Sequence, residues 1–194
     1  MKKIAVVILN YNGKAFLEKF LPNVIEYSSN VAEIIVADNK STDDSVDFIQ
    51  KNFPNIRLII NNFNGGFATG YNVALRQVEA DYYILLNSDI EVTPHWIEPV
   101  VELMERDETI AACQPKILSY HDKTKFEYAG ASGGYIDKYG YPFCRGRVFQ
   151  ELETDNGQYD DVKEVFWATG ACMFVRASLY HKYGGLDDDF FAHM

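Results

Sequence analysis

The chain has 194 residues, of which 47% are hydrophobic and 14% aromatic, a composition typical of one folded domain with a substantial core. Its formal net charge is -10, with 28 acidic and 18 basic residues and no dense run of Lys or Arg, which argues against nucleic-acid binding through phosphates. Cys113, Cys144 and Cys172 lack metal-ligand spacing and are odd in number, so we expect neither a disulfide framework nor a zinc site, but a reduced, cytoplasmic protein.

The first half of the chain alternates short apolar runs with segments of helical periodicity, which predicts βαβ units and a parallel sheet. The run from Ile4 to Leu9 predicts a buried strand and is too short for a signal-peptide core or a membrane span. Apolar residues from Phe16 to Ile25 predict a helix with a kink or restart at Pro22. Further strands are predicted at 34–37, 57–60, 82–86 and 110–113, and helices from a cap at Ser41 or Thr42 to Asn52, over 68–77, and from Pro94 to Arg106.

The composition changes after Pro115. Residues 119–162 are rich in Gly, Tyr, Asp and Lys without a long helical period, which predicts hairpins and loops over the carboxyl edge of the sheet. Residues 165–175, interrupted by Thr169 and Gly170, return to strand-like composition. Because the chain has no internal repeat and no linker, it is predicted to form a single domain over residues 1–194.

Polar clusters follow each of the first four predicted strands. They are Asn10-Tyr11-Asn12, Asp38-Asn39, the segment 61–66 and Asn87-Ser88-Asp89. Because the carboxyl ends of parallel strands meet at one edge of a sheet, where open α/β folds bind ligands, these clusters together predict one site. The alternative is that Asn, Asp and Gly follow strands simply because they form turns, which explains any one cluster better than all four.

The glycine segment Asn64-Gly-Gly-Phe-Ala-Thr-Gly-Tyr-Asn72 limits the class of ligand. Gly65 and Gly70 have the spacing of a phosphate loop, but Tyr71 stands where the phosphate-binding lysine is needed. The first strand is not followed by GxGxxG, so a dinucleotide site is also disfavoured. The segment can still offer backbone N–H groups at a helix N-terminus to a diphosphate.

The triplet Asn87-Ser88-Asp89 has the spacing of a DxD metal motif with Asn in first place. A hard cation such as Mg²⁺ or Mn²⁺ takes few protein carboxylates and completes its shell with water and phosphate oxygens, so Asp89 could anchor one. The alternative for this triplet is an Asx turn or a helix-capping group before Pro94.

Six segments together resemble the inverting glycosyltransferases of family 2 with the GT-A fold, and in particular rhamnosyltransferase-like members. They are VVILNYN (6–12), VADNKSTDDS (36–45), NGGFATGYN (64–72), LLNSDIEV (85–92), WATGACMFVR (167–176) and GGLDDDFF (184–191). The resemblance implies an α/β fold with a mostly parallel central sheet flanked by helices and a smaller hairpin and loop region. It also implies a nucleotide-binding half at 1–115 and an acceptor-side half at 116–194.

The resemblance implies a nucleotide-sugar site built from all of these segments: Asn10, Tyr11, Asn12, Asp38, Asn39, Asn64, Gly65, Gly70, Asn72, Asn87, Ser88, Asp89, Trp167, Thr169 and Gly170. Within it, Asp38 would hydrogen-bond the nucleobase and Asp89 would bind the divalent cation, Mg²⁺ or Mn²⁺, that bridges the diphosphate. Trp167 would approach the donor sugar or the acceptor, and suits a core position equally well.

Two departures from the family pattern affect the chemistry. Asn87 replaces the first carboxylate of DxD, which puts the strength of metal binding in question. Members of the family follow the GGLDDDFF-like segment with an acidic pair that supplies the general base, whereas this chain stops at Met194. We therefore expect a domain truncated at its C-terminus, with Asp187 and Asp188 as second choices for the base.

The resemblance predicts transfer of a hexose or rhamnosyl group, with inversion, from a UDP- or dTDP-sugar to a glycan or lipid-linked acceptor in cell-surface polysaccharide synthesis. It places the protein in the cytoplasm at the inner face of the membrane, with peripheral contact through residues beyond Met194. Two alternatives stay open: a nucleotide-sugar-binding domain without turnover, and a sugar-1-phosphate nucleotidyltransferase. The latter is disfavoured because only Gly13 and Lys14 stand where its Gly-rich basic loop is expected.

Overall fold

A computed structural model describes residues 2–190. Within these residues the chain forms ten strands: β1 (Ile4–Asn10), β2 (Glu33–Asp38), β3 (Arg57–Ile60), β4 (Tyr82–Asn87), β5 (Ala112–Cys113), β6 (Gly134–Ile136), β7 (Pro142–Cys144), β8 (Arg147–Val148), β9 (Glu151–Leu152) and β10 (Cys172–Arg176). The same residues form five helices: α1 (Lys14–Ser28), α2 (Ser45–Asn52), α3 (Gly66–Leu75), α4 (Glu98–Arg106) and α5 (Ala177–Lys182).

A six-stranded sheet in the order β3-β2-β1-β4-β10-β5 forms the centre of the molecule. Strands β1 to β4 are parallel, and β10 runs antiparallel to both of its neighbours. The predicted α/β architecture with a mostly parallel sheet flanked by helices is confirmed. The β6–β7 and β8–β9 hairpins form the smaller, loop-rich part that the sequence predicted after Pro115.

Both faces of the sheet are buried, which is why its strands are continuous apolar runs rather than alternating ones. Val6 and Ile8 of β1 point to the face covered by α1, α2 and α4, where Leu21 and Met104 complete the core. Ala5 and Val7 point to the opposite face, covered by α3 and α5. Each fully buried large side chain stabilises the fold by about 1.5–3 kcal/mol relative to its exposed state. The strand ends are thereby held rigidly against the helices that follow them.

Two helices bear on predicted boundaries. Helix α1 runs through Pro22 without the restart that was predicted as the alternative to a kink, and both Pro22 and Glu18, whose carbonyl the proline ring would crowd, are exposed. Helix α4 begins at Glu98 rather than at Pro94 because His95 has a positive φ of 59°, which is incompatible with a helix at that point.

Four further elements differ from the prediction, and one of them is β5, which begins at Ala112 rather than at residue 110. Helix α2 begins at Ser45, because the predicted caps Ser41 and Thr42 are hydrogen-bonded to the loop after β1 instead. Helix α3 lies two residues closer to the N-terminus than predicted, at Gly66–Leu75. The predicted strand at 165–175 is shortened to β10, and Trp167 makes only an isolated bridge to Gly134.

Candidate active site

Polar residues end the four parallel strands at one edge of the sheet. Asn10, Asp38 and Asn87 are the last residues of β1, β2 and β4, and Asn61 directly follows β3. Asn10 lies opposite Asp38 in the register of β1 and β2, and Leu9 lies opposite Asn87 in that of β1 and β4. The strand ends are therefore level, and the loops that follow them are neighbours.

Asp38 is held by the two loops on either side of it and is only 1% exposed. Its Oδ1 accepts a hydrogen bond from Asn10 Nδ2 at 3.0 Å, and its Oδ2 accepts one from the backbone N–H of Ser41 at 2.8 Å. Asn10 Nδ2 also donates to Ser41 Oγ at 3.2 Å. Ser41 was not among the predicted site residues, although it lies in the VADNKSTDDS segment. The carboxylate of Asp38 is thus fixed in position before any ligand binds.

Gly13 links this buried carboxylate to the end of β4. A Cβ on Gly13 would lie 2.4 Å from Asn10 Oδ1 and 3.5 Å from Ser88 Oγ, so the glycine is packed between the ends of β1 and β4. Asn10 Oδ1 is buried and has no hydrogen-bond partner among the described residues. The contacts therefore run without interruption from Asp38 through Asn10 and Gly13 to Ser88, the neighbour of Asp89.

Asn12 fastens the loop after β1 to the loop after β2. It has a positive φ of 51°, which Asn tolerates better than most residues. Its Oδ1 accepts hydrogen bonds from the backbone N–H groups of Thr42 at 2.7 Å and Asp43 at 3.2 Å, and its own N–H donates to Ser41 Oγ at 2.9 Å. The adjacent Tyr11 is half exposed. The predicted contact of Asn12 with a nucleotide stays a prediction, while its loop-fastening role is visible.

A chain of amides holds the start of α3 against the sheet. Asn61 Nδ2 donates to Asn39 Oδ1 at 3.1 Å, and Asn39 Nδ2 donates to Asn64 Oδ1 at 2.8 Å. Asn64 Oδ1 also accepts from the N–H of Gly66 at 2.9 Å. A Cβ on Gly70 would lie 3.0 Å from both Asn39 and Leu9, so this glycine permits the close approach of α3 to β1.

Asn72, predicted to contact the nucleotide sugar, is buried and fully engaged by protein groups. Its Nδ2 donates to the carbonyl of Leu186 and to Asp188 Oδ1, both at 2.7 Å. Its Oδ1 accepts from the Leu186 N–H at 2.9 Å and from the Tyr180 hydroxyl at 2.5 Å. An amide offers two donors and two acceptor positions, and here all four are used. The geometry gives Asn72 the role of attaching segment 184–188 to α3.

A cavity of about 630 Å³ begins at Asn87 and Asp89 and extends between the loop after β4 and residues 115–129. Trp96, Tyr120 and Tyr128 contribute aromatic walls that sequence reasoning missed. The only signal for Tyr120 and Tyr128 was their presence in a polar region predicted to form loops, and Trp96 stood in a predicted helix. Its lining residues are Asn87, Asp89, Ile90, Glu91, Val92, Thr93, Trp96, Pro115, Lys116, Ile117, Leu118, Ser119, Tyr120, His121, Lys123, Glu127, Tyr128, Ala129, Leu152, Ala171 and Cys172. Asp38 is not among them, so the two predicted anchoring carboxylates do not line one cavity.

Charged groups brace the walls of this cavity. An ion pair between Glu91 and Lys123 joins the loop after β4 to the 115–129 segment. Lys116 lies 2.6 Å from Asp155 and 2.5 Å from Asp160. Partial burial works to lower the pKa of Lys116, but these two carboxylates hold it above its usual value. The cation of Lys116 is therefore retained at neutral pH and is committed to structure.

The exposed Asp89 is the predicted metal ligand. Within residues 2–190 no three His, Cys, Asp or Glu side chains come together in a way that could hold a metal ion. One exposed carboxylate at the end of β4, beside the amide of Asn87, fits a cation whose remaining ligands are phosphate oxygens and water. The donor set at this edge is therefore compatible with Mg²⁺ or Mn²⁺ bound together with a diphosphate.

Trp167, Thr169 and Gly170 lie between the hairpin region and the sheet. The Trp167 ring covers Gly134, where a Cβ would collide with it at 1.8 Å, and its Nε1 donates to the carbonyl of Tyr135 at 3.1 Å. The N–H of Thr169 donates to Gln114 Oε1 at 2.7 Å. A Cβ on Gly170 would lie 2.6 Å from Phe67 of α3. Trp167 is thus a structural aromatic for the hairpin, and its contact with a sugar stays a prediction.

The carboxylates named as second choices for the base are both exposed. Asp188 Oδ1 accepts hydrogen bonds from Thr69 Oγ1 at 3.0 Å and from Asn72, while Asp187 Oδ1 accepts one from the N–H of Asp189 at 3.0 Å. The resemblance places the general base in an acidic pair after the GGLDDDFF segment. Residues 191–194 lie outside the described residues. Within residues 2–190, no helix is long and apolar enough to cross a bilayer.

Curated proteins of similar sequence include glycosyltransferases. The chain is 24% identical, over 98% of its length, to an N-acetylglucosaminyl-diphospho-decaprenol L-rhamnosyltransferase of Mycobacterium tuberculosis, and it spans 67% of that protein. It is 23% identical, over 98% of its length, to a low-salt glycan biosynthesis hexosyltransferase of Haloferax volcanii, of which it spans 58%.

Solved glycosyltransferase structures share the fold. A mannosyltransferase from Pyrobaculum calidifontis, in complex with GDP-Man and Mn²⁺, superposes on 97% of the chain with a TM-score of 0.65 and 17% identity. GalNAc-T7 with UDP, GalNAc and Mn²⁺ superposes on 97% of the chain with a TM-score of 0.72 and 17% identity. The chain spans 48% and 38% of these two proteins, about half of their length or less. Both comparisons confirm the predicted GT-A fold.

The family is shown by sequence over nearly the whole chain. The family model described as Glycosyl transferase family 2 matches residues 5–184. This range contains the strand ends, the glycine segment, the Asn87-Ser88-Asp89 triplet and the start of the GGLDDDFF segment. The match also leaves the nucleotidyltransferase alternative without support. The chain therefore belongs to glycosyl transferase family 2.

Proposed function

We propose that this chain binds a nucleotide diphosphate sugar together with a divalent cation at the carboxyl edge of its sheet, as the donor site of an inverting glycosyltransferase. The donor is UDP- or dTDP-linked, and the acceptor is a glycan or a lipid-linked sugar in cell-surface polysaccharide synthesis. The relatives named above act in glycan assembly, and the two solved relatives carry a nucleotide or nucleotide sugar with Mn²⁺.

The observation that carries the proposal is the chain of contacts from Asp38 through Asn10 and Gly13 to Ser88 and Asp89. It joins the preset carboxylate of Asp38 to the turn that carries the exposed Asp89. A buried carboxylate with fixed orientation suits recognition of a nucleobase N–H, because its lone pairs pay no further ordering cost on binding. An exposed carboxylate suits a cation that arrives with the diphosphate. The diphosphate then passes over Gly13.

The chain's own residues supply binding and orientation. Asn64 fixes the turn that opens α3, so that the free N–H groups at the start of this helix offer donors to a diphosphate. A divalent cation bound through Asp89 would neutralise charge that develops on the departing nucleoside diphosphate. The cavity beyond Asp89 is the place for the acceptor, because it adjoins the proposed diphosphate position and is within the size range of ligand pockets.

The transfer itself is a single displacement at the anomeric carbon. The acceptor hydroxyl loses its proton to a carboxylate, its oxygen forms the new bond to carbon, and the bond from carbon to the diphosphate oxygen breaks. One displacement inverts the anomeric centre. Asp187 and Asp188 do not line the cavity proposed for the acceptor, so neither is assigned as the base.

Melting temperature measured with and without nucleotide tests the proposal. A ligand at one hundred times its Kd stabilises the folded state by about 2.7 kcal/mol. For a chain of this length that corresponds to a rise of about 5–11 °C. We expect such a rise with UDP or dTDP plus Mn²⁺, a smaller one without Mn²⁺, and the weakest with GDP. Titration calorimetry on the same samples gives the affinities directly.

Two variants test which residue binds the cation and which binds the nucleobase. Asp89→Ala should remove the part of the shift that depends on Mn²⁺, while Asp38→Asn should weaken binding with and without the metal. Glu79→Ala is the matched control, since this exposed carboxylate lies near the amino end of β4 and pairs only with Lys3 among the described residues. No shift with any nucleoside diphosphate, or an equal loss in the Glu79 variant, would sink the proposal.

A further inference from the structure

The two ammonium groups that line the cavity beyond Asp89 are already paired with protein carboxylates. Lys123 forms an ion pair with Glu91, which also lines the cavity. Lys116 lies within 2.6 Å of two aspartate carboxylates in segment 155–160. An anionic group that entered the cavity would therefore meet no unpaired ammonium group among its described lining residues.

Glu127 is a half-buried carboxylate of the lining that keeps one oxygen free. Its Oε2 accepts a hydrogen bond from the N–H of Ala129 at 2.7 Å, whereas its Oε1 has no hydrogen-bond partner within residues 2–190. This oxygen is not sealed from solvent, because it is absent from the fully buried polar atoms that lack a partner. A carboxylate oxygen in this position accepts a hydrogen bond from a ligand hydroxyl more strongly than a neutral amide oxygen does.

The backbone around Glu127 is fixed before any ligand binds. The N–H of Glu127 donates to the carbonyl of Ile117 at 3.0 Å, and Leu118 and Phe126 form an antiparallel bridge. Phe126 is fully buried, and successive side chains of an extended stretch point to opposite sides. Phe126 thus anchors this stretch in the interior while Glu127 lines the cavity, so little ordering is needed when a ligand binds.

Three aromatic side chains, those of Trp96, Tyr120 and Tyr128, give the same cavity apolar walls. Trp96 Nε1 donates to Ser28 Oγ at 3.1 Å, and the Tyr128 hydroxyl donates to Gln150 Oε1 at 3.2 Å. Since these polar atoms are bonded to residues outside the lining, the two rings offer a ligand mainly apolar surface. A sugar ring suits such walls, because it has a face of C–H groups and a rim of hydroxyl groups that need acceptors.

We propose that this cavity binds an uncharged sugar of the acceptor, which packs against the aromatic walls and donates a hydroxyl hydrogen bond to Glu127 Oε1. The inference rests on the proposed function, in which this cavity is the acceptor site. A phosphate or carboxylate in the cavity would face Glu127 without a free cation to balance it. An apolar chain would take water from the same carboxylate and return no hydrogen bond. Any phosphate of a lipid-linked acceptor therefore lies outside the cavity.

Saturation-transfer NMR with matched monosaccharides tests the charge preference. The neutral probes are the methyl glycosides of glucose, galactose and N-acetylglucosamine, and the anionic probes are the methyl glucuronide, the methyl galacturonide and the 6-phosphate of the third glycoside. Each pair differs only at C6. At least one neutral probe should bind, and its anionic counterpart should bind about tenfold more weakly because of charge repulsion. The titrations are run at pH 8, where histidine is ordinarily uncharged, because His121 also lines the cavity.

Glu127→Gln tests whether this residue is responsible. The variant should bind the neutral probe about fivefold more weakly, because an amide replaces a charged acceptor. It should also reduce the ratio of neutral to anionic affinity to about threefold or less, which a loss of packing alone would not do. Glutamine keeps an oxygen for the Ala129 N–H, so the fold should persist. Glu151→Gln is the matched control and should change neither value, because Glu151 is exposed and precedes the lining residue Leu152 without lining the cavity itself.

The proposal is overturned if no neutral probe binds, with or without UDP and Mn²⁺, or if the anionic probes bind as tightly as their neutral counterparts. It is also overturned if Glu127→Gln keeps the parent ratio, or if Glu151→Gln reduces that ratio equally. Binding of octanol without binding of any sugar would identify an apolar chain as the occupant instead. The rise in melting temperature with UDP and Mn²⁺ is measured on the same samples. A rise without sugar binding removes only this proposal, whereas sugar binding without a rise removes the proposed donor site.

Discussion

Replacing Asn72 by Ala should release segment 184–188 from α3. The amide of Asn72 makes four hydrogen bonds, two to the backbone of Leu186, one to Asp188 and one from the Tyr180 hydroxyl. Position 185 next to this amide requires glycine, because a Cβ there would lie 2.2 Å from Asn72 Oδ1 and the φ of the residue is +85°. No other described residue joins α3 to the acidic segment through so many bonds.

The size of the effect follows from which groups are left unpaired. Leu186 and Asp188 can turn to water once released, so their bonds contribute about 0.5–1.5 kcal/mol each. The Tyr180 hydroxyl is buried, and burial raises the pKa of Tyr180 well above its usual value, so the group stays a donor that needs an acceptor. Leaving the Tyr180 hydroxyl without an acceptor costs about 1–3 kcal/mol more. Even at the low end of these ranges we expect a total loss of at least about 2.5 kcal/mol, which lowers the melting temperature by at least about 5 °C.

Hydrogen exchange locates the effect. The amide of Leu186, which donates to Asn72 Oδ1 in the folded protein, should exchange on the order of 100-fold faster in Asn72→Ala, while amides of β1 change far less. Asn72→Asp should be at least as harmful, because it removes both donors and places a second carboxylate beside Asp188. Asn52→Ala is the control, since Asn52 is exposed and makes one bond, to the carbonyl of Phe48.

The same variant separates two roles for Asn72. If its function is to hold segment 184–188, the rise in melting temperature caused by UDP and Mn²⁺ should survive in Asn72→Ala on a lower baseline. If it contacts the nucleotide directly, that rise should disappear. The argument is refuted if Asn72→Ala melts within about 2 °C of the parent chain, a change worth less than roughly 1 kcal/mol, and Leu186 exchanges at the parent rate.

Two further predictions concern the second half of the chain. Gly134→Ala should cost about 1–3 kcal/mol by overpacking against Trp167 and should redden tryptophan emission, whereas Gly140→Ala, with nothing within 4 Å of its Cβ, should leave the emission unchanged. Burial raises the pKa of Cys172 from 9.0 to about 12, so its thiolate is about a thousandfold scarcer at pH 8. Alkylation followed by mass spectrometry should therefore modify the partly buried Cys113 first and Cys172 only after unfolding.

Sequence patterns predicted the parallel half of the fold because its signals are local. The apolar run of β1 indicates that the strand is buried on both faces. The polar residues at the ends of β2 and β4 indicate that these ends lie at one exposed edge. Each pattern is visible within ten residues of sequence. The start of α4 was misplaced because the decisive feature, the positive φ of His95, is a conformation and not a composition. The antiparallel placement of β10 between β4 and β5 was equally hidden, since strand neighbours are set by contacts across about 90 residues.

The members of the site stay a prediction, and their contacts with one another could not be read from the sequence. Asp38 and Asp89 were expected to share one rim, and the structure joins the ends of their strands through Asn10, Gly13 and Ser88, by contacts that no spacing rule contains. Asn12 and Asn72 were grouped with the ligand-binding residues because they lie in motif segments. Their partners, Thr42 and Leu186, are distant in sequence, and only the folded chain shows that these amides are already occupied.

The choice of amides over carboxylates at this edge has an electrostatic reason. The loops after the strands must be fastened to one another, and either Asn or Asp could accept the necessary hydrogen bonds. A nucleoside diphosphate brings at least two negative charges, and each additional carboxylate near it would raise the cost of binding in a chain that is already at -10. Asn12, Asn39 and Asn64 make the same fastenings without charge, and Asn39 donates as well as accepts. Of the four polar clusters after the strands, only Asp38 and Asp89 are then carboxylates: Asp38 accepts hydrogen bonds from two neutral donors, and a cation is proposed at Asp89. Asp43, in the loop after β2, accepts hydrogen bonds from the N–H groups of Lys14 and Ser45.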